Sequence, residues 1–410
     1  MKLRKISFLV MAIILTVSMF PIPAHAAATV DVVNVKDLGA VGDGVTDDTN
    51  AFQNAITQSA STKKPVYVPY GIYKISQALT LTNQLMFGVP EGSWSSDSAT
   101  LPTIKQSSTT ANAIILNAGG AVSGLNFDYT QNESGTPTQY AATILLNGVG
   151  TRVSNVRIFH AWTGIDCSTE NTGRAVLEDI FISYVAKMGI RLTGGWDVST
   201  LDNIEVWTPS TTYNGYFGNN GVGIKLEFND GLRMSNVFVY GAQTGILFQQ
   251  TGVNGVWGNL LNVSTDFCSI GMKIAGTHHL TMAGGSLWSH YSGLEIDGEY
   301  TELNITGTDI RSNGAAAVQV THAYAVNMSA VNITRTYASY EAPAINAQGA
   351  YYLLINGNHL NAMAQGIVIG SGVHRSVITS NIINVTDGTG VGIVQQSPPN
   401  APVIANNIVI

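Results

Sequence analysis

A short pattern of apolar and variable positions recurs along most of the chain. A small residue precedes an aliphatic residue, a variable residue and usually a second apolar residue, as in residues 189–192, 271–274 and 366–369. Twelve copies lie between residues 113 and 394, at steps of 21 to 34 residues. The alternation predicts short strands with one buried face. A repeat of this length predicts stacked structural units.

A second pattern interlocks with the first and reads apolar, variable, Asn or Asp, then Ile or Val, as in residues 153–156, 201–204 and 234–237. Asparagine tolerates the left-handed backbone conformation and suits a tight corner between two strands. The expected fold is therefore all-β, a right-handed parallel β-helix of about twelve coils spaced about 4.8 Å apart. An antiparallel sandwich is the alternative, but it needs hairpin turns that the chain does not offer.

The N-terminus has the features of a secretion signal. Three basic residues precede an apolar run, and residues 24–26 form a small-x-small cleavage site. We expect a signal peptide at 1–26, an N-terminal cap with the first coils at 27–110, and the β-helix at 111–410, continuous with the cap. The mature protein is predicted to be secreted and extracellular, without a membrane association after signal removal.

Charge and cysteine content narrow the function further. The net charge is −7 and only 11% of residues are charged, which argues against nucleic-acid binding through a basic surface. Cys167 and Cys268 lie four coils apart, roughly 19 Å, and are predicted to be separate thiols because a disulfide cannot span that distance.

Residues 34–75 predict a capping element. Asp47, Asp48 and Thr49 supply a helix N-terminus, and an apolar stripe follows it, so a short amphipathic helix is expected to cover the open end of the solenoid. This segment resembles the opening signature of the pectate lyase superfamily of β-helix proteins, which includes polygalacturonase-like and rhamnogalacturonase-like enzymes and phage tailspike proteins. The resemblance implies a secreted enzyme that degrades a polysaccharide.

The resemblance does not identify the catalytic residues. Residues 162–167 are only partly similar to the polygalacturonase motifs, the paired aspartates are absent, and the Gly-His-Gly and Arg-Ile-Lys motifs are missing. Four reactions or roles stay open: glycoside hydrolysis, β-elimination by a lyase, fructan conversion by glycosyl transfer, and non-catalytic carbohydrate binding. No cofactor or metal is predicted, although calcium stays open as a requirement of a lyase.

The resemblance places the substrate groove on the sheet of glycine-led strands. The alternation turns one row of side chains outward from that sheet, and its charged members lie in the middle coils: Asp166, Arg191, Lys225, Glu227, Lys273, Glu295 and Asp297. Arg191, Lys225 and Lys273 would suit an anionic sugar chain. Mutual neutralisation is the alternative, because Lys273 and Glu295 lie on adjacent coils.

Two pairs of carboxylates are candidates for hydrolysis. Glycosidases use two carboxyl groups that are close together or roughly 6.5–9.5 Å apart. Glu295 and Asp297 lie two residues apart on one strand, about 6.6 Å between Cα atoms, and are the first prediction. Asp166 and Glu227 are the second. In a lyase, one of the three cations of the row would act as the base or steady the developing charge.

Aromatic residues flank the same strands and are predicted to stack on sugar rings. The longest insertion, residues 207–221, carries three of them, and three further rings lie near other coils. The predicted substrate-binding rings are Trp207, Tyr213, Tyr216, Trp257, Trp288 and His290. The expected partner is a polysaccharide or oligosaccharide. Because no cap is evident after the last coil, a homotrimer that covers this edge is a further hypothesis.

Overall fold

The computed structural model describes residues 31–89, 102–132, 134–167, 171–209, 211–336, 342–386 and 390–410. The predicted signal peptide, residues 1–26, lies outside these ranges. Residues Val32–Ile410 form one compact unit. Two helices, α1 (Thr49–Thr62) and α2 (Tyr216–Asn220), and two 3-10 turns, Val35–Leu38 and Thr212–Gly215, are described. No helix in the described ranges is long and apolar enough to cross a bilayer.

Most of the described chain is β-strand. The first strands are β1 (Val33–Asn34), β2 (Asp43–Asp47), β3 (Val66–Tyr67), β4 (Gly71–Ile75), β5 (Leu79–Leu81), β6 (Leu85–Phe87), β7 (Pro102–Gln106), β8 (Ile114–Asn117), β9 (Ala121–Ser123) and β10 (Asn126–Asp128). The middle strands are β11 (Ile144–Asn147), β12 (Arg152–Phe159), β13 (Thr163–Cys167), β14 (Val176–Ser183), β15 (Met188–Leu192), β16 (Thr200–Trp207), β17 (Val222–Leu226), β18 (Asn229–Tyr240), β19 (Thr244–Gln249) and β20 (Val256–Ala275). The last strands are β21 (His279–Ala283), β22 (Ser286–Thr306), β23 (Asp309–Ser312), β24 (Val318–Ser329), β25 (Asn332–Arg335), β26 (Ile345–Asn356), β27 (His359–Ala362), β28 (Gln365–Thr379), β29 (Ile382–Val385), β30 (Val391–Gln395), β31 (Val403–Ala405) and β32 (Ile408–Val409).

The strands stack in parallel into three faces. Face A contains β1, β3, β6 and β9 and continues through the N-terminal parts of β12, β14, β16 and β18. Face B contains β4, β7 and β10 and continues through the C-terminal parts of the same four strands. Face C contains β5, β8 and β11 and the glycine-led strands β13, β15, β17 and β19. Later long strands pass from one face to the next, and β20 and β22 extend all three.

The predicted all-β parallel solenoid is confirmed, with about 14 turns rather than twelve. The difference arises at the N-terminal end, where coils precede the first of the twelve copies. Leu79 and Leu81 of β5, for example, stack beneath Ile114 and Leu116 of β8. Residues 78–81 fit the repeated pattern, with Ala78 as the small residue, but they precede the first of the twelve copies at residue 113.

Aliphatic side chains fill the interior between the faces as one continuous core. Equivalent positions lie directly above one another, as Ile165 does with Ile190, because the coils pair in register. Cys167 and Cys268 are both buried and free, which confirms the prediction of two separate thiols.

The predicted capping helix is α1, which places Phe52 and Ala55 in the core. The two aspartates at the N-terminus of α1, Asp47 and Asp48, accept hydrogen bonds from different segments of the chain. The Asp48 carboxylate is buried and accepts backbone N–H bonds from Val41 (2.7 Å) and Gly42 (3.1 Å). Asp47 accepts the N–H bond of Thr49 (3.0 Å), so it satisfies a donor at the start of the helix.

The corners between faces A and B are of two kinds. In the middle coils, Asn155, Asn203 and Asn236 themselves take the left-handed conformation, with φ between 52° and 54°. In the last coils another residue takes that conformation, such as Ser380 (φ 58°), and a buried asparagine follows it. Asn381 is the clearest case: it has no exposed surface, and its amide donates to the carbonyl of Ile355 (2.9 Å) and to the side chain of Asn407 (2.9 Å).

We predict that Asn381→Ala lowers the free energy of unfolding by about 2–4 kcal/mol, because several buried polar groups lose their partners together. The matched control is Asn304→Ala, since Asn304 lies on the exposed side of face A and accepts one side-chain bond, from Asn327 (3.3 Å). The control should cost below about 1 kcal/mol. Urea unfolding of both variants measures the difference, and equal losses would contradict the structural role of the buried asparagines.

Candidate functional site on face C

The charged row predicted from the sequence lies on one face of the solenoid, face C. Arg191 pairs in register with Lys225, and Lys273 pairs in register with Glu295. The strand neighbours of these charged residues point inward, as Ile190 does beside Arg191 and Leu294 does beside Glu295. The row is interrupted by Leu247, which lies opposite both Lys225 and Lys273 and separates two charged groups.

The first group is a network of four alternating charges. Arg191 Nε donates to Glu227 Oε2 (3.0 Å), and its Nη1 lies 3.4 Å from Asp166 Oδ1. Lys225 Nζ lies 2.9 Å from Glu227 Oε1. The side chain of Glu227 is only 7% exposed, whereas that of Arg191 is 31% exposed. The carboxylate of Glu227 is thus covered, and the two cations face the solvent above it.

Electrostatics make Glu227 an anchor for these cations. Burial alone would raise the pKa of Glu227, but bonds from Lys225 and Arg191 outweigh burial and lower the pKa below its usual value. Burial opposes the charge of Arg191 in the same way, and the bond to Glu227 raises the pKa of Arg191. A carboxylate held ionised has no proton to donate, so the geometry favours an orienting role for Glu227 over that of the acid in the second predicted pair.

The second group contains Glu295 and Asp297, both of which point outward from β22. Glu295 Oε2 lies 3.3 Å from Lys273 Nζ on the preceding coil, so the pairing considered from the sequence does occur. Asp297 Oδ1 lies 2.8 Å from His322 Nδ1 on the following coil. A register shift after Ile296 places His322 opposite Asp297. The pattern of the repeated strands did not point to His322.

Of the three rings predicted in residues 207–221, Tyr216 lies beside the start of the face C strands and Tyr213 does not. Tyr216 lies at the start of α2, and its ring centre is 5.7 Å from that of Trp162, which precedes β13. Tyr213 is only 2% exposed, and its hydroxyl donates to the carbonyl of Tyr184 (2.5 Å). This burial corrects the expectation that Tyr213 stacks on a sugar, because the insertion folds its ring inward. Lys187 Nζ donates to the carbonyl of Asn220 (2.7 Å) at the C-terminal end of α2.

Aromatic rings also follow the opposite ends of the face C strands. Trp196 is 61% exposed and lies 4.6 Å from the ring of Phe228. Trp257 is 58% exposed but begins the face A part of β20, where it lies 4.4 Å from the ring of His279. Trp196 lies four residues after the end of β15, the strand that carries Arg191.

Trp288 and His290 line a cleft of about 220 Å³ at the corner between faces B and C. The Arg311 guanidinium lies 4.3 Å over the Trp288 ring and is held by the carboxylate of Asp309 (2.8 Å). Trp207 does not line this cleft. Its ring stacks on that of Tyr240, which in turn stacks on Phe267, so a column of rings runs along the same corner. Sequence reasoning missed Arg311, whose position above Trp288 depends on register.

The adjacent histidines His278 and His279 lie in different environments. His278 is buried, its Nδ1 accepts the N–H bond of Val256 (3.0 Å), and burial lowers its pKa to about 4. His279 lies 3.3 Å from the carboxylate of Glu302 on face A. Within the described ranges, no group of three or more His, Cys, Asp or Glu side chains is arranged to hold a metal ion.

Comparison with known families matches both halves of the solenoid. A family model described as rhamnogalacturonase A/epimerase, pectate lyase-like, matches residues 32–295. A second, described as a right handed beta helix region, matches residues 252–410. The handedness expected from the sequence is therefore confirmed.

Individual relatives match more distantly. The pre-neck appendage protein of Bacillus phage phi29 is 28% identical over 164 residues, 40% of this chain and 16% of that protein. The chain spans between 4% and 16% of the length of the curated relatives considered. Among solved structures, the Azotobacter vinelandii mannuronan C-5 epimerase AlgE6 A-module has a TM-score of 0.64 at 18% identity, covering 93% of this chain and 99% of that one. The N-terminal fragment of phage phi29 gene product 12 has a TM-score of 0.62 at 17% identity, covering 90% and 71%. At these identities the structural likeness concerns the fold alone.

We predict that Glu227→Gln lowers the free energy of unfolding by about 1–3 kcal/mol at pH 7, because two partly buried cations lose their anion. The folded pKa of Glu227 lies below the usual value of 4.5, so its stabilisation is present above pH 4.5 and is lost as the pH falls through the lowered pKa. Urea unfolding between pH 7 and pH 3 should therefore show the difference between variant and wild type shrinking with acidification.

Glu178→Gln is the matched control for this measurement, because Glu178 forms an exposed ion pair with Arg152 (2.6 Å). Its loss should stay below about 1 kcal/mol. If the two substitutions cost the same, the buried network contributes no more than a surface pair.

Proposed function

The chain belongs to the pectate lyase-like family described as rhamnogalacturonase A/epimerase, and we propose that it is a secreted enzyme that hydrolyses a polysaccharide containing acidic sugars. One observation carries the proposal. Glu295 and Asp297 project together from the middle of face C, and each is oriented by a different basic side chain, Lys273 and His322. Paired carboxylates with separate surroundings suit the two roles of a glycosidase.

The proposed reaction assigns one role to each carboxylate. Glu295, beside the ammonium of Lys273, acts as the base and takes a proton from a water molecule. The water oxygen bonds to the anomeric carbon while the glycosidic bond breaks. The pair of Asp297 and His322 holds one proton between its side chains, and Asp297 passes that proton to the departing oxygen. Direct attack of water on the anomeric carbon corresponds to inversion at that carbon.

The four-charge network is proposed to bind an acidic sugar of the same polymer. Lys225 and Asp297 lie three coils apart, about 14 Å, so the network is too distant to share the chemistry at Glu295. Arg191 and Lys225 remain partly exposed above Glu227, and guanidinium and ammonium groups recognise carboxylates. Trp196 and Tyr216 lie at opposite ends of these strands, where they would contact sugar rings.

A lyase is the second candidate, and the pair of Arg191 and Lys225 favours it. The two cations lie on adjacent coils with Glu227 beneath them. Elimination at a uronate requires a base and a nearby cation that steadies the developing negative charge. Fructan conversion and non-catalytic binding lack a comparable observation, although both stay open until activity is measured.

We predict that Glu295→Gln and Asp297→Asn each reduce the rate of release of reducing ends from polygalacturonate, pectin or another susceptible polymer by about 100- to 10,000-fold, since each removes a proton-transfer group. Glu302→Gln is the matched control, because Glu302 lies on the same strand β22 but on face A. The control should keep wild-type activity.

The ultraviolet spectrum of the same digests separates the two candidate reactions. Hydrolysis leaves the spectrum unchanged, whereas elimination creates an absorbing double bond. Absorbing products that disappear in Arg191→Gln but persist in Glu295→Gln would replace the hydrolase proposal with a lyase. If every polymer stays intact with the wild-type protein, non-catalytic binding is the better account.

Export and a trimeric assembly stay predictions. The first is tested by expression of the full chain in a bacterium with a secretion pathway: the mass of the protein in the medium should correspond to a chain that begins at residue 27. Retention of residues 1–26 in the exported protein would contradict the predicted signal. Sedimentation of the same preparation measures its oligomeric state, and a monomer alone would contradict the trimer.

A further inference from the structure

A second cleft lies beside Asp297, at the turn from face C to face A. It has a volume of about 390 Å³, within the range of small-molecule sites. Its walls are the rings of Tyr300, Tyr324 and Tyr351 with His322 and His374, from four successive coils. We call this the tyrosine cleft. His322, the partner of Asp297, belongs to both the cleft and the proposed catalytic pair.

The rings of the tyrosine cleft remain open to solvent. Tyr300 is 66% exposed, Tyr324 40% and Tyr351 38%. Tyr324 and Tyr351 lie parallel, with an angle of 3° between rings whose centres are 5.7 Å apart. The guanidinium of Arg375 lies 5.2 Å from the Tyr351 ring centre. Aromatic rings that only stabilise a fold are usually buried. A cluster of exposed rings therefore indicates a binding surface.

The backbone keeps the floor of the cleft open. Gly349 and Gly372 pair in register on adjacent coils. A Cβ atom on Gly349 would lie 2.5 Å from the carbonyl oxygen of Thr321, and one on Gly372 would lie 2.6 Å from that of Gln348. Both contacts are too short for any side chain, so the close approach of the coils leaves a floor without side chains beneath the rings.

The charge of the cleft selects among sugars. Its lining includes the carboxylate of Glu299 and neither lysine nor arginine, and Asp297 lies next to His322 at its edge. Two carboxylates disfavour a uronate, while imidazoles and phenol hydroxyls bond to neutral hydroxyl groups. Arg375 is the nearby cation, and its Nη1 donates to the hydroxyl of Tyr352 (3.0 Å) outside the lining.

We propose that the tyrosine cleft binds one neutral pyranose ring of the polysaccharide next to Asp297 and thereby selects the bond that is cleaved. This inference rests on the proposed function of Glu295 and Asp297. The apolar face of the sugar lies on Tyr324 or Tyr351, and its hydroxyl groups bond to His322 or His374. The neutral sugar bound in the tyrosine cleft is thus chemically different from the acidic sugar assigned to Arg191 and Lys225.

Binding is measured by calorimetry on Glu295→Gln protein, which is intended to leave the oligosaccharides intact. The probes are cello-, manno-, xylo- and galactohexaose and, as the acidic probe, hexagalacturonate. At least one neutral hexasaccharide should bind, and adding Tyr351→Ala should weaken that binding about tenfold, the loss of one good ring contact. Tyr70→Ala is the matched control, because Tyr70 is 45% exposed and lies between β3 and β4, outside the cleft.

Three results would overturn the inference: no neutral probe binds, Tyr351→Ala binds as tightly as the control, or Tyr351→Ala weakens only hexagalacturonate. Sedimentation of the variants tests the other use of an exposed aromatic surface, since dissociation of an oligomer by Tyr351→Ala with unchanged sugar binding would make the cleft an interface between copies. Failure of the catalytic proposal is separate: it appears as full activity of Glu295→Gln, whatever Tyr351→Ala does to binding.

Discussion

The in-register pairing of successive coils is the constraint on which the rest of the structure depends. Each coil satisfies its backbone N–H and C=O groups with the coils above and below it, about 4.8 Å away. Wherever strands pair without a register shift, each side chain therefore has an equivalent directly above it. Inside, this produces columns such as Ile165 over Ile190. Outside, it obliges a charged residue to meet its partner one coil away, as Lys273 meets Glu295.

The same constraint explains how much could be predicted from the sequence. Within a strand the side chains alternate strictly, so a glycine followed by Ile, a variable residue and Leu defines which position faces out. The separation of the two thiols, the outward row on face C and the amphipathic capping helix follow from such local patterns, and the structure agrees with all three. The predicted count of coils is low because it begins at residue 113, whereas β5 already forms a coil in which Ala78 precedes Leu79.

The contacts of long side chains between coils and the conformation of the corners could not be predicted from the sequence. Glu227 is at an outward position, yet Arg191 and Lys225 fold over it and cover its carboxylate. His322 meets Asp297 only because the register shifts by one residue after Ile296. Tyr213 lies in an insertion whose own packing turns its ring inward. Corner lengths vary from coil to coil, and strand periodicity carries no information about them.

A stiff solenoid turns separation along its axis into selectivity. The cations above Glu227 and the carboxylates at Glu295 and Asp297 belong to coils whose spacing is set by backbone bonds, about 14 Å over three steps. Neither group can move toward the other without breaking those bonds. A ligand that engages both must be extended and must carry its negative charge away from the carboxylate pair, because two carboxylates repel an anion that the cations attract. The order of charges along face C therefore favours one orientation of a polymer over its reverse.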